Sequence, residues 1–123
     1  MDFVGLADKQ NLLASALTLP DKKKLEMARA LATEPKLLML DEAVAGLNTA
    51  EVQGAVELIA KIRRLGIALI VVEHVMEVIM PISDRVVVLD HGVKIAEDQP
   101  GVVARDPRVI EAYLGEKYVA QRR

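Results

Sequence analysis

Two acidic residues follow a short apolar run without a spacer: Asp41 and Glu42 come directly after segment 37–40. A carboxylate at a rigid position can hold a hard cation such as Mg²⁺, which takes oxygen ligands and keeps several waters. The next carboxylate points in another direction, where it can orient an attacking water or accept its proton. Another charged pair, Glu73-His74, follows a second apolar run. These four side chains are the candidates for chemistry.

Four apolar residues followed by Asp-Glu form the pattern of a Walker B segment. In such a segment the Asp binds Mg²⁺, and the Glu orients or deprotonates the attacking water. So short a motif also occurs without function. In the structural alternative, Asp41 and Glu42 cap the following turn and stay solvated. His74 has a similar alternative as an ordinary polar residue, and we expect His91, in an Asp-His-Gly turn, to be exposed and structural.

Three helices are predicted in the first two thirds of the chain. Thr18 and Asp21 form a T-x-x-D capping box with Pro in the first turn, so a helix begins there and ends before Pro35. A second helix is expected from about Thr49 to Leu65, with Gly66 as its stop. A short third helix covers residues 75–82.

The apolar runs 37–40 and 67–72 predict two buried strands. Because one helix separates them, they should be parallel neighbours in an α/β sheet with a right-handed crossover. Ligands of such sheets bind beyond the carboxyl ends of the strands. The acids at 41–42 and the pair at 73–74 should therefore share one rim. The tail predicts a β-hairpin over 85–98 and two short helices, near Gly101–Ala104 and Pro107–Leu114.

Composition excludes several classes of protein. The 123 residues include no cysteine, so a disulfide framework and a thiolate metal site are impossible. The formal charge of −2 argues against a general nucleic-acid surface. No apolar run approaches the roughly 18 residues of a membrane span, and the N-terminus lacks signal-peptide features. We expect one domain over residues 1–123, located in the cytoplasm.

Four motifs occur in a fixed order: LTLPDKKKLEMARAL, LLMLDE, AGLN and VVEH. This order and spacing resemble the ATP-binding subunits of ABC transporters, over about Leu6 to Gly115. The tail segments ISDRVVVLDHGVKIAED and DPRVIEAYLGE look like the branched-chain amino-acid import branch in particular. The resemblance implies an α/β fold, the C-terminal part of a P-loop NTPase domain: parallel strands with helical crossovers, then a β-hairpin and helices.

The resemblance also implies roles for individual residues, with ATP and Mg²⁺ as cofactors. Asp41 would be the Mg²⁺-associated acid, Glu42 the catalytic carboxylate, and His74 the switch that contacts the γ-phosphate. Other residues would face the nucleotide of a partner subunit. They are Thr18 and Asp21 in the signature segment, residues 17–21, and Gly46 and Asn48 in the D-loop, residues 45–48.

The signature segment departs from the LSGGQ of the family. Leu19 and Pro20 stand where the family has two glycines. The side chain of Leu19 prevents the backbone from approaching a phosphate closely, and Pro20 lacks an N–H donor. Asp21 stands at the Gln and adds a negative charge. This segment is expected to bind a nucleotide poorly. Ala43, where the family has Pro, is a smaller departure.

No G-x-x-x-x-G-K-[ST] occurs, since none of the seven glycines precedes a lysine. Without this P-loop, the phosphates have neither a cradle of N–H groups nor a lysine. The chain is therefore expected to correspond to the C-terminal half of a subunit and to be inactive alone. We expect it to bind ATP no tighter than millimolar and to expose apolar surface where the other half would pack.

The intact subunit is expected to hydrolyse ATP and power import of a small solute, by resemblance branched-chain amino acids. Implied partners are transmembrane permease subunits and a second ATP-binding subunit, with no nucleic acid. The subunit would lie on the cytoplasmic face of the membrane, attached only through the permease. One alternative is a non-catalytic interaction or regulatory fragment that binds no nucleotide. Another is a soluble ABC-type ATPase of DNA repair or translation, which the charge balance disfavours.

Overall fold

The computed structural model describes residues 1–113. Its helices are α1 (Leu19–Leu31), α2 (Thr49–Arg63), α3 (Met76–Ile82) and α4 (Pro100–Val103). Its strands are β1 (Leu37–Asp41), β2 (Ala68–Val72), β3 (Val86–Asp90) and β4 (Val93–Asp98). Residues 107–113 are also helical, and the remainder of the helix predicted to reach Leu114 lies outside the described residues. The chain forms two compact units, Met1–Val78 and a second one from Ile79 onward.

The first unit contains a parallel strand pair. β1 and β2 pair in register from Leu37 with Ala68 to Asp41 with Val72, and α2 lies between them in the sequence. The predicted parallel neighbours with a helical connection are confirmed. The carboxyl ends of both strands lie at one edge of the sheet, so the candidate residues follow the strands on the same side.

The N-terminal caps decide where α1 and α2 begin. The hydroxyl of Thr18 accepts a hydrogen bond from the backbone N–H of Asp21 at 3.4 Å, as the sequence predicted. The carboxylate of Asp21 contacts Lys9 instead of completing the predicted capping box. At α2 the side chain of Asn48 accepts from the N–H of Glu51 at 2.9 Å, and Glu51 accepts from the N–H of Asn48 at 3.0 Å. This reciprocal capping box was not predicted, although N-x-x-E is a recognisable start signal.

Burial along the two strands differs from the prediction. Leu38 and Leu40 are buried, but Leu37, Met39 and Ile70 are exposed. The prediction of strands buried throughout is therefore wrong. An apolar run indicates that both faces of a strand are apolar. It does not indicate that other residues of the same chain pack against both faces. Exposed apolar surface was expected from the resemblance, and this sheet face provides it.

The second unit contains an antiparallel hairpin of β3 and β4. His91 and Gly92 adopt left-handed backbone conformations, with φ of 50° and 79°, as a tight two-residue turn requires. The imidazole of His91 is exposed, and its Nδ1 lies 2.8 Å from a carboxylate oxygen of Asp90. The predicted hairpin and the structural role of His91 agree with this geometry.

Candidate functional site

The acidic pair after β1 and the Glu-His pair after β2 lie at one edge of the sheet. The backbone N–H of Glu42 donates to the carbonyl of Val72 at 2.9 Å, which continues the strand ladder by one residue. This bond holds the backbone of Glu42 beside the segment that leads to Glu73 and His74. The predicted shared rim is confirmed.

Glu42 and His74 are neighbours at this rim. Their atoms Oε1 and Nδ1 are 3.6 Å apart, and the side chains are 57% and 67% exposed. The separation is longer than a hydrogen bond, so neither side chain uses its hydrogen-bonding capacity on the other. Both can reach one small ligand in front of the rim. The carboxylate could accept a proton from a water there, while the imidazole could donate a hydrogen bond to an anionic oxygen.

Glu42 has an unusual backbone conformation. Its φ is 53°, in the left-handed region that a side chain other than Gly, Asn or Asp rarely adopts. Such conformations cost of order 1–3 kcal/mol and persist where the surrounding structure holds them, often at functional positions. The chain turns sharply after Asp41, which separates the directions of the two carboxylates. A turn was expected after Asp41, but the left-handed conformation was not, because neither Glu42 nor Ala43 favours it.

Glu73 is a residue whose contact the sequence did not predict. One carboxylate oxygen, Oε2, accepts a hydrogen bond from the backbone N–H of Val44 at 3.3 Å. The other oxygen, Oε1, is buried and has no hydrogen-bond partner among the described residues. Glu73 therefore connects the segment that carries His74 to the loop that follows Glu42. The one feature of the sequence that could have indicated a role for Glu73 is its position directly after β2.

Asp41 ends β1 and is exposed. It lines a small groove of about 160 Å³ together with residues of α1, among them Lys23 and Glu26. Within residues 1–113, no three His, Cys, Asp or Glu side chains cluster tightly enough to hold a metal ion by themselves. Asp41 offers one carboxylate at this edge of the sheet, and Glu26 lines the same groove. This suits Mg²⁺, which commonly takes one or two protein carboxylates and fills its other positions with water and phosphate oxygens.

The signature segment is stabilised by an ion pair. Asp21 is only 6% exposed, and its carboxylate contacts the ammonium group of Lys9. The hydrogen bond from Lys9, with a further contribution from Thr18, lowers the pKa of Asp21 below its ordinary value. The predicted negative charge is therefore present but neutralised by its neighbour. Burial weighs against direct contact of Asp21 with a nucleotide, whereas the hydroxyl of Thr18 lies at the exposed start of α1.

The D-loop, residues 45–48, lies beside the signature segment. Gly46 has a φ of 80°, and a Cβ added to it would lie 2.9 Å from Cδ2 of Leu19. The two segments that the resemblance directs toward a partner subunit are thus in contact. The side-chain oxygen of Asn48 accepts the hydrogen bond that caps α2. A groove of about 510 Å³ separates this loop from the segment after β2, and its walls include Val44, Gly46 and His74.

Comparison with known sequences points to one protein family. A family profile described as branched-chain amino acid ATP-binding cassette transporter matches residues 93–119. The high-affinity branched-chain amino acid transport ATP-binding protein LivG of Escherichia coli (strain K12) is 41% identical over 117 residues, covering 94% of this chain and 46% of LivG. BraF of Pseudomonas aeruginosa, with the same description, is 39% identical over the same length. The chain spans about half the length of these relatives.

Solved structures agree with the sequences. An ATP-binding cassette of an ABC transporter in its ADP conformation, MJ1267, superimposes with a TM-score of 0.84 at 28% identity, over 93% of this chain and 46% of that one. CbiO1 of Clostridium perfringens, part of the ABC transporter complex cbiONQ, gives 0.78 at 29% identity, over 89% and 44%. By sequence and by fold, the chain is similar to the C-terminal part of the ATP-binding subunits of ABC transporters, and its relatives LivG and BraF are of the branched-chain amino-acid type.

Proposed function

We propose that this chain forms part of an ATPase subunit that hydrolyses ATP to power import of branched-chain amino acids. The observation that carries the proposal is the juxtaposition of Glu42 and His74, 3.6 Å apart at the carboxyl end of a parallel strand pair. The likeness to LivG and BraF, whose descriptions name branched-chain amino acid transport, supports the substrate class.

In this proposal, Glu42 orients the attacking water and accepts its proton. The water oxygen forms a bond to the γ-phosphorus as the bond to the ADP oxygen breaks, so the products are ADP and phosphate. His74 donates a hydrogen bond to a γ-phosphate oxygen. The exposure of both side chains supports these roles, because substrate must reach them from solvent. Asp41 would hold Mg²⁺, which neutralises charge on the phosphates when it is bound.

Four further residues belong, in this proposal, to the nucleotide site of a partner subunit: Thr18, Asp21, Gly46 and Asn48. The contact between Leu19 and Gly46 supports a common surface for the two segments. Thr18 would contact the nucleotide through its hydroxyl. Asp21 would act by holding the first turn of α1 through Lys9, and Asn48 by fixing the start of α2. The bulk of Leu19 and the missing N–H of Pro20 make this a weak site.

The proposed assembly joins this subunit to a second ATP-binding subunit and to transmembrane permease subunits, without nucleic acid. In residues 1–113 no helix combines the length and apolarity needed to cross a bilayer. Contact with the membrane would therefore come through the permease, on the cytoplasmic side. Because the 123 residues contain no P-loop motif, we propose that the isolated chain neither binds ATP tightly nor hydrolyses it.

The test replaces Glu42 with Gln in a complete subunit that carries these residues. The partner subunit in the assembly has an intact LSGGQ, because that segment completes the site holding Glu42. We expect Glu42→Gln to lower kcat by about 10²–10⁴ while ATP binding persists, since a general base is lost but the phosphate ligands remain. Asp41→Asn should instead weaken Mg²⁺ and nucleotide binding together.

Glu57→Gln is the matched control, since it makes the same chemical change at an exposed position of α2. It should leave turnover unchanged. Hydrolysis that is equally fast in Glu42→Gln and Glu57→Gln would show that Glu42 only caps its turn. The non-catalytic alternative would then replace the proposal.

A further inference from the structure

The segments that carry Glu42 and His74 are connected by two hydrogen bonds of different kinds. The first joins the N–H of Glu42 to the carbonyl of Val72 at 2.9 Å and involves only backbone atoms. The second joins the N–H of Val44 to the carboxylate of Glu73 at 3.3 Å. Almost any sequence could form the first bond, but the second requires an acceptor side chain at position 73.

One bond is made by a strained residue itself, and the other by the residue two positions after it. Glu42 has a φ of 53°, a conformation that a glutamate keeps only where its neighbours hold it. The backbone bond fixes the chain at Glu42 itself. The bond from Val44 fixes the chain two residues later, after the sharp turn. Together they hold the backbone on which the Glu42 side chain is carried.

The environment of Glu73 differs from that of a solvated surface acid. Its Oε1 atom is buried without a hydrogen-bond partner among residues 1–113, and burial of an unpaired carboxylate oxygen is unfavourable. Its Oε2 atom accepts the hydrogen bond from the Val44 N–H at 3.3 Å. The hydrogen bond to Val44 offsets part of this cost and ties Glu73 to the loop after Glu42.

We propose that Glu73 is a positioning residue of this site, which holds the loop after Glu42 at Val44 and thereby sets the separation of Glu42 and His74. The proposal rests on the proposed function of those two residues. Glu73 itself would contact neither water nor phosphate, because its bonded oxygen is directed at the Val44 N–H. It acts through the loop on one side and through its chain neighbour His74 on the other.

The first test measures amide hydrogen exchange in the 123-residue chain. Glu73→Ala removes the acceptor, whereas Glu73→Gln keeps a neutral one. We expect the Val44 amide to exchange about tenfold faster in Glu73→Ala and to recover most of its protection in Glu73→Gln. The amide of Ala68, which bonds to Lys36 at the other end of the strand pair, should be unaffected.

Other results of this test would overturn the proposal. Unchanged exchange at Val44 in Glu73→Ala would show that the bond does not hold the loop. Equal acceleration at Ala68 would show a general loss of stability rather than a local role. Glu77→Ala is the matched control, because Glu77 lines the same groove without a bond to the loop, and it should leave Val44 protected.

The second test measures ATP turnover in the complete assembly with a second subunit. We expect Glu73→Ala to lower kcat about ten- to hundredfold with KM for ATP unchanged, because a small misplacement of reacting groups is costly. Glu73→Gln should restore most of the rate. If Glu42→Gln abolishes turnover but Glu73→Ala does not lower it, the positioning role fails. If Glu42→Gln has no effect, the proposed function fails, and the exchange experiment still decides whether Glu73 holds the loop.

Discussion

Lys9 and Asp21 form an ion pair that joins the N-terminal segment to the first turn of α1. The side chain of Asp21 is buried, while that of Lys9 remains partly exposed. From the sequence alone, Asp21 introduced an uncompensated negative charge into the signature segment. With Lys9 beside it, the local charge is balanced. The expectation that the segment binds a phosphate poorly therefore rests on Leu19 and Pro20 instead.

The ion pair makes stability depend on pH in acid. The pKa of Asp21 in the folded chain lies below its ordinary value of 3.8, chiefly because Lys9 donates a hydrogen bond to the charged form. A lowered pKa stabilises the folded chain at pH values above 3.8, and this contribution disappears as the pH falls through the folded pKa. Urea unfolding at pH 7 and pH 3 should therefore show a larger loss of stability in the wild type than in Asp21→Asn. At pH 7, Asp21→Asn should cost about 1–2 kcal/mol.

The same hydrogen bond raises the pKa of Lys9 in the folded chain above its ordinary value of 10.5. The contribution of Lys9 to the stability of the folded chain is therefore present at pH values below 10.5 and is lost as the pH rises through the folded pKa. Between these limits the pair is fully charged. Lys9→Met should consequently abolish the acid sensitivity that depends on the pair. An acid transition that is identical in the wild type, Asp21→Asn and Lys9→Met would contradict this account.

The capping box of α2 gives a second prediction. Asn48→Ala removes the acceptor for the Glu51 N–H and should cost about 1 kcal/mol in the free energy of unfolding, measured with urea. Asn48→Asp should cost little, because Asp caps as well as Asn. This pair of variants also separates capping from nucleotide contact in the assembled subunit. If Asn48→Asp keeps stability but loses ATP turnover, Asn48 acts on the nucleotide in addition to its cap.

Sequence patterns predicted the parallel strands, the shared rim and the start of α1, because each depends on local periodicity or on a cap within four residues. The capping box at Asn48 could also have been predicted from the N-x-x-E pattern but was overlooked. Other features were not readable. The bond from Val44 to Glu73 joins residues 29 positions apart in the sequence. The left-handed conformation of Glu42 is accompanied by its bond to Val72, another residue distant in the sequence. The burial of Asp21 depends on Lys9, 12 positions earlier, for which no periodicity gives a signal.

The two faces of β1 should respond differently to truncation. Leu38 is 6% exposed and its neighbour Leu37 is 49% exposed. Leu38→Ala should destabilise the chain by about 2–4 kcal/mol, because it removes buried methyl groups and leaves a cavity. Leu37→Ala should change stability by no more than about 0.5 kcal/mol, since its side chain already faces solvent. Chemical denaturation of the isolated chain measures both, and equal costs would mean that the second face of the strand is covered in solution.

The contact between Gly46 and Leu19 can be tested with a second glycine as control. Gly46 and Gly66 have nearly the same φ, 80° and 85°, so replacing either with Ala places a side chain in the left-handed region, at a cost of about 1 kcal/mol. At Gly66 the new Cβ would have no atom within 4 Å, whereas at Gly46 it would lie 2.9 Å from Cδ2 of Leu19. Leu19 is partly exposed and its tip can move, so we expect Gly46→Ala to cost no more than about 1 kcal/mol beyond Gly66→Ala. In a Leu19→Ala background this difference should vanish. A difference that persists there would show that Gly46 is constrained by something other than Leu19, and the contact between the D-loop and the signature segment would lose its support.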